Sequence, residues 1–103
     1  MKQRRITCDK TELVLSIELK NRYTFMNLTY ADIARIQIDE IIERKFLVWS
    51  IPSESITVTT TKQEKPIVYK KKKEKQFWDE YKTDLEKFCK TNNVSFTNTI
   101  GGD

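Results

Sequence analysis

The sequence predicts an α+β domain that is mostly β, with seven short strands followed by one C-terminal helix. Three observations carry this. Short segments between residues 4 and 70 repeat apolar side chains with a period of two. One stripe with the helical period occupies the segment from Lys75 to Lys90. Both glycines, Gly101 and Gly102, fall in the last three residues, so the turns must be made from other residue types.

The first strand is Arg4–Cys8, where Ile6 and Cys8 share a face, and Asp9-Lys10-Thr11-Glu12 is a polar turn. Leu13, Leu15, Ile17 and Leu19 then alternate with Val14, Ser16, Glu18 and Lys20, which buries one face of a second strand. Lys20-Asn21-Arg22 is the next turn, with Asn21 suited to a positive φ. Tyr23–Leu28 is extended, with Met26 and Leu28 on one parity and Tyr23 and Phe25 on the other.

Residues 29–45 fit two templates. Ala34, Ile36 and Ile38 alternate as in a strand, whereas Tyr30, Ile33, Ala34, Ile38, Ile41 and Ile42 fall at helical spacing. Five isoleucines are β-branched and favour the pleat. The reading taken is a short turn at Tyr30–Ile33, where Thr29 and Asp32 resemble a capping box, and then a strand. Phe46–Ile51 is apolar on both parities, as in a strand covered on both sides, which places Phe46 and Trp49 in the core. Pro52 and Ser53 break it. Ile56 and Val58 mark a threonine-rich strand, Lys62–Pro66 a turn, and Ile67–Lys70 the last strand.

In the helix, Phe77, Trp78, Tyr81, Leu85, Phe88 and Cys89 form the apolar stripe. Asp79 and Glu80 near its start and Lys87 and Lys90 near its end match the macrodipole. Asn92 and Asn93 stop it. Residues 1–93 read as one domain and 94–103 as a short C-terminal extension. Without glycine, tight primed two-residue hairpins are disfavoured, and longer polar connections are expected in their place.

The composition excludes several chemistries. With no glycine in residues 1–100 there is no P-loop or dinucleotide fingerprint, and with no histidine there is no histidine base or imidazole metal site. Two cysteines, Cys8 and Cys89, cannot complete a structural zinc site and read as small buried thiols of a reducing compartment. Asp39, Glu40 and Glu43 read as a solvated turn and not as a metal cluster. No small-molecule cofactor and no enzymatic activity are expected. No apolar run approaches the ~20 residues of a membrane span. The chain reads as cytoplasmic, with a peripheral position at the membrane as the variant.

The element order and local wording resemble bacterial members of the pleckstrin-homology-like (PH-like) superfold. Leu28-Thr29-Tyr30-Ala31-Asp32-Ile33-Ala34-Arg35-Ile36 is similar to their Tyr-x-Asp-Ile-x-x-Ile link, and Phe77–Phe88 to their closing helix. The resemblance covers roughly residues 4–91. It implies a bent antiparallel β-sandwich or barrel plugged by the helix, and a domain that docks phosphoinositides, peptides or proteins without doing chemistry. The lipid-binding members carry basic residues around the first hairpin loop. Here that turn holds two acids and one base, and Lys20 and Arg22 stand at the following turn.

The net charge is +4, spread evenly between the halves of the chain. Its one concentration is Lys70, Lys71, Lys72, Lys73 and Lys75, interrupted by Glu74. The run is a candidate contact for an anionic lipid or nucleic acid, or a solvated connector that blocks edge pairing. Positive charge opposes a helix N-terminus, so the run must precede the helix or meet a compensating anion. Tyr69 beside it is the one aromatic kept as a candidate exposed contact. Ile41 and Ile42 approach a hairpin tip, where a continuing strand would bury one of them. The functional expectation is a binding or scaffolding module joining a protein partner or a second copy through surface complementarity or an exposed strand edge. The alternative is electrostatic binding of anionic lipid or nucleic acid through the lysine run.

Overall fold

The computed structural model describes residues 4–45 and 49–99. Phe46, expected in the core, lies outside them, as does the Gly101-Gly102 pair. More than half of the described residues are in strands, which confirms a mostly β domain with one C-terminal helix.

Two sheets form. The first is an antiparallel meander of β1 (Ile6–Cys8), β2 (Glu12–Leu19) and β3 (Arg22–Thr29), in that spatial order. The second has the order β6-β5-β4-β7. It is built from β4 (Ile33–Lys45), β5 (Trp49–Thr60), β6 (Ile67–Lys70) and β7 (Ser95–Asn98). Between β6 and β7 runs a 3-10 turn, Lys75–Phe77, and then helix α1, Trp78–Asn92. Among the described residues no ladder joins the two sheets, so they do not close into a barrel.

Among the described residues seven strands are present, but not in the expected order: six precede the helix and one follows it. Two changes produce this. The segments on either side of Pro52 are one strand, β5, and Ser95–Asn98 is a strand that the sequence pattern does not announce. Pro52 is tolerated for a reason legible in the hydrogen bonds. The Lys71 amide donates to the Glu54 carbonyl, so even-numbered residues of β5 present their backbone groups to the β6 side. The β6 ladder ends at Ser55, so the donor that Pro52 lacks would face an open edge and not β4. β7 pairs in parallel with β4 from Arg35↔Ser95 to Ile38↔Asn98. It follows an αL turn at Asn93, φ 58°, that ends the helix where the paired asparagines stand.

The ambiguous segment resolves as a 3-10 turn, Tyr30–Asp32, and then β4. The Asp32 carboxylate accepts from both the amide and the hydroxyl of Thr29, each at 3.1 Å. The β2–β3 connection has only Lys20 and Asn21 between the Leu19↔Arg22 pair. The expectation of longer connections therefore fails here. Asn21 does not take a positive φ, so the turn is two residues long without being of the primed type.

One core joins both sheets and the helix. Ile6, Leu13, Leu15 and Leu28 meet Ile36, Ile38, Ile56 and Val58, and α1 contributes Trp78, Tyr81, Leu85, Phe88 and Cys89. Beyond Ile38 and Ser55, where β7 and β6 end, β4 and β5 continue as a two-stranded arm to Lys45↔Trp49. Trp49 stands on that arm and is 64% exposed, which corrects its assignment to the core. On the same arm Ile41 is half-buried and Ile42 exposed.

Candidate functional site

Most of the sequence-predicted contacts cluster at the β6–α1 junction. Lys70 ends β6, Lys71–Lys73 form the following turn, and Lys75 opens the 3-10 turn. The run thus precedes the α-helix, as the macrodipole requires. Lys70, Lys72, Lys73 and Lys75 are exposed, whereas Lys71 lies 4.0 Å from the Glu54 carboxylate. Tyr69 is not a surface contact. It points into the core, where its hydroxyl donates to the Ser16 carbonyl at 2.9 Å and burial pushes its ionisation up. That hydrogen bond links β6 of the second sheet to β2 of the first.

Glu74, the acid within the run, turns inward. Its side chain is 5% exposed, with Oε2 3.2 Å from Nε of Arg5, and Oε1 accepts from the Tyr81 hydroxyl at 3.1 Å. That hydroxyl accepts from the Arg5 amide at 2.8 Å. Burial alone would lower the Arg5 guanidinium pKa, but the hydrogen bond from its Nη2 to the Tyr23 hydroxyl and the charge of Glu74 raise it. A groove of about 590 Å³ lies alongside. Arg5, Lys70, Lys72 and Lys73 face Glu18, Glu43 and Glu74 around it, so it is of mixed charge and not an anion cradle. Lys20 and Arg22 are exposed at the β2–β3 turn and do not line that groove.

The thiols are quiet. Burial pushes both Cys8 and Cys89 up to about 12, far from a reactive thiolate.

Periodicity does not reveal a second surface, the outer edge of β3. Of the four sheet edges, β1 lies against α1, and β6 and β7 are four residues each. Only β3 offers eight residues with no strand beside them among the described residues. Tyr23 and Phe25 are 54% and 66% exposed there. Natural edges are usually blunted by charge, proline or a bulge. From Tyr23 to Thr29 this strand has none of these: its sequence is uncharged and its register with β2 runs unbroken from Glu12↔Thr29 to Leu19↔Arg22. The Arg5 guanidinium carbon sits 4.5 Å from the Tyr23 ring centroid and holds that ring on the outer face.

Comparisons of the chain with protein-family models, with curated proteins and with solved structures find no match in any of the three. The function is therefore argued from these surfaces alone.

Proposed function

We propose that this chain is a non-enzymatic binding or scaffolding module that joins proteins by strand addition at the β3 edge. The observation that carries the reading is that edge: eight residues long, unpaired, uncharged from Tyr23 onward, and flanked by two exposed aromatic rings. An extended segment laid along it gains main-chain hydrogen bonds, while Tyr23 and Phe25 supply apolar contact. No bond is made or broken. The PH-like reading of the fold is kept as part of the proposal. Seven strands and a C-terminal helix support it, while the parallel strand after the helix is a departure from that family's order.

The test is selection of dodecapeptides displayed on phage against the wild-type chain and against Asn27→Pro. Expected are extended, alternating apolar peptides that bind the wild type and are lost from the variant at an unchanged circular dichroism spectrum. Equal capture by both proteins would sink strand addition at this edge.

A second reading keeps the lysine turn, because four of its five lysines are exposed. It places an anionic membrane against Lys70, Lys72, Lys73 and Lys75, at about 1 kcal/mol per lysine near the surface. Cosedimentation with phosphatidylserine vesicles should then fall steeply with salt. Binding that survives replacement of Lys70–Lys73 by glutamine removes this reading.

A further inference from the structure

We propose that the strand added to β3 is β3 of a second copy, paired antiparallel about a two-fold axis with Phe25 opposite Phe25 of the other copy. This rests on the strand-addition reading above and names its partner. The backbone groups that face outward set the register. The Tyr30 amide donates to the Thr11 carbonyl, which places the even-numbered residues of this segment in the ladder with β2. The Ser16 amide donates to the Arg5 carbonyl, so even-numbered residues of β2 face β1, and its odd-numbered residues bond to β3. Both facts leave the N–H and C=O groups of Tyr23, Phe25 and Asn27 pointing to the free edge. The next outward amide, that of Thr29, is occupied by the Asp32 carboxylate.

An isologous antiparallel pairing must keep each sheet face continuous, so opposed residues share parity. With Phe25 on the axis, Tyr23 pairs with Asn27 of the other copy and all three outward residues bond, making about six hydrogen bonds. Shifting by one pair in one direction opposes Tyr23 to Thr29, whose amide is already taken. The opposite shift runs Asn27 onto Asn21 in the turn. Only the register centred on Phe25 pairs both the N–H and the C=O of every outward residue from Tyr23 to Asn27, because in the first shifted register the Tyr23 carbonyl faces Thr29 with no amide to accept from.

Side chains agree with it. The Phe25 rings meet across the axis on the outer face, a favourable cross-strand pair. Arg22, the sole charge on the strand, falls opposite Leu28, so no like charges face one another. The result is a continuous six-stranded sheet across the pair. The contact is a narrow one, below the usual area of a permanent dimer, so association should depend on concentration.

The test uses the full chain. Sedimentation velocity across micromolar to millimolar concentrations should show a reversible monomer–dimer equilibrium. Phe25→Pro removes an amide that makes no bond to β2, and should weaken the dimer by at least about tenfold. Phe25→Lys sets two ammonium groups opposite each other on the axis and should do the same without touching the backbone. Amide exchange at Phe25 and Asn27 should slow as the dimer fills. A wild type that stays monomeric, a dimer that persists in both variants, or a dimer with unprotected amides at these positions each overturns the proposal. A monomeric wild type that still captures extended peptides overturns the second copy and leaves strand addition standing. A wild type that does neither overturns both.

Discussion

The Arg5–Glu74 pair should be the most costly polar contact to break in this domain. In Arg5→Met the aliphatic stem stays and the guanidinium goes. The Glu74 carboxylate is then left in a site 5% exposed, with the Tyr81 hydroxyl as its remaining donor. Removing one partner of a fully buried pair costs about 3–5 kcal/mol. Arg5 is 20% exposed, which reduces this to roughly 2–3 kcal/mol. For a domain of this size that lowers the melting temperature by roughly 10–20 °C. Arg4 is the internal control. It pairs with Glu80 at 3.1 Å and Asp84 at 2.7 Å, both solvent-facing carboxylates, and lies over the Phe77 and Tyr81 rings. Arg4→Met should cost only about 1 kcal/mol. Glu74→Gln added to Arg5→Met removes the stranded charge while an amide oxygen still accepts from Tyr81, so the double variant should recover at least about 1 kcal/mol of the summed loss. Urea unfolding followed by fluorescence of the buried Trp78 measures the wild type, the three single variants Arg4→Met, Arg5→Met and Glu74→Gln, and the double variant. Equal costs at Arg4 and Arg5, or strict additivity of the Arg5 and Glu74 changes, would mean that no charge is stranded at Glu74.

Two further outcomes follow from individual residues. Burial pushes the Glu54 carboxyl up. The hydrogen bonds from Trp78 Nε1 at 2.8 Å and Lys82 Nζ at 3.0 Å, with the charges of Lys82 and Lys71, outweigh it and hold the group below its ordinary value. A folded-state pKa below the unfolded one adds stability that is present above the unfolded value and lost as pH falls through the folded one. Thermal melts between about pH 7 and about pH 3 should therefore lose stability on the acid limb, and Glu54→Gln should flatten that limb; an unchanged slope means no linkage. At Asn93, with φ 58°, Asn93→Gly should be neutral or slightly stabilising. Asn93→Val should cost about 1–2 kcal/mol, and equal melting of the two variants would show that the αL turn carries no strain.

Much of the fold is legible because alternation and the helical stripe report burial directly. Leu13 and Leu15, Ile36 and Ile38, and Trp78 through Cys89 are all where their spacing puts them. Thr29 and Asp32 were readable because a capping contact is local. The failures are of another kind. Ser95–Asn98 carries one apolar residue, Phe96, and becomes a strand only because the helix delivers it to β4. Proline reads as a stop in sequence, but Pro52 faces an edge, and edges are set by which strands end early. Tyr69 looks like part of a basic, aromatic surface because its neighbours are lysines, yet alternation turns it inward opposite Ile56. The lysine run was visible, but the inward turn of Glu74, which fixes its position, depends on Arg5 and Tyr81 far away in sequence.

The same distinction separates the two exposed apolar regions. Tyr23–Leu28 and the arm that carries Ile42, Trp49 and Ile51 are both apolar on both parities, a pattern that reads as double-sided burial. Neither is covered on both sides within the monomer: Leu28 is in the core while Tyr23 and Phe25 are exposed, and the arm exposes Ile42, Trp49 and Ile51. They differ at their edges. On the arm, even-numbered residues of β5 face outward, and one of them is Pro52, so that edge lacks a donor at its middle. On the β4 side, the Thr99 amide donates to the Ile38 carbonyl, which puts Glu40 among the outward-facing positions. Proline and charge are the devices that keep a strand edge from pairing. β3 has neither between Tyr23 and Thr29, and its ladder with β2 shows no register shift to bend it away; the irregularity recorded in the second sheet lies at Ile33/Arg35. An apolar surface beside a blocked edge can only be packed against, whereas one beside an open edge can also be extended by a strand. That is why strand addition is proposed at β3 and not at the arm, although the arm exposes the larger ring.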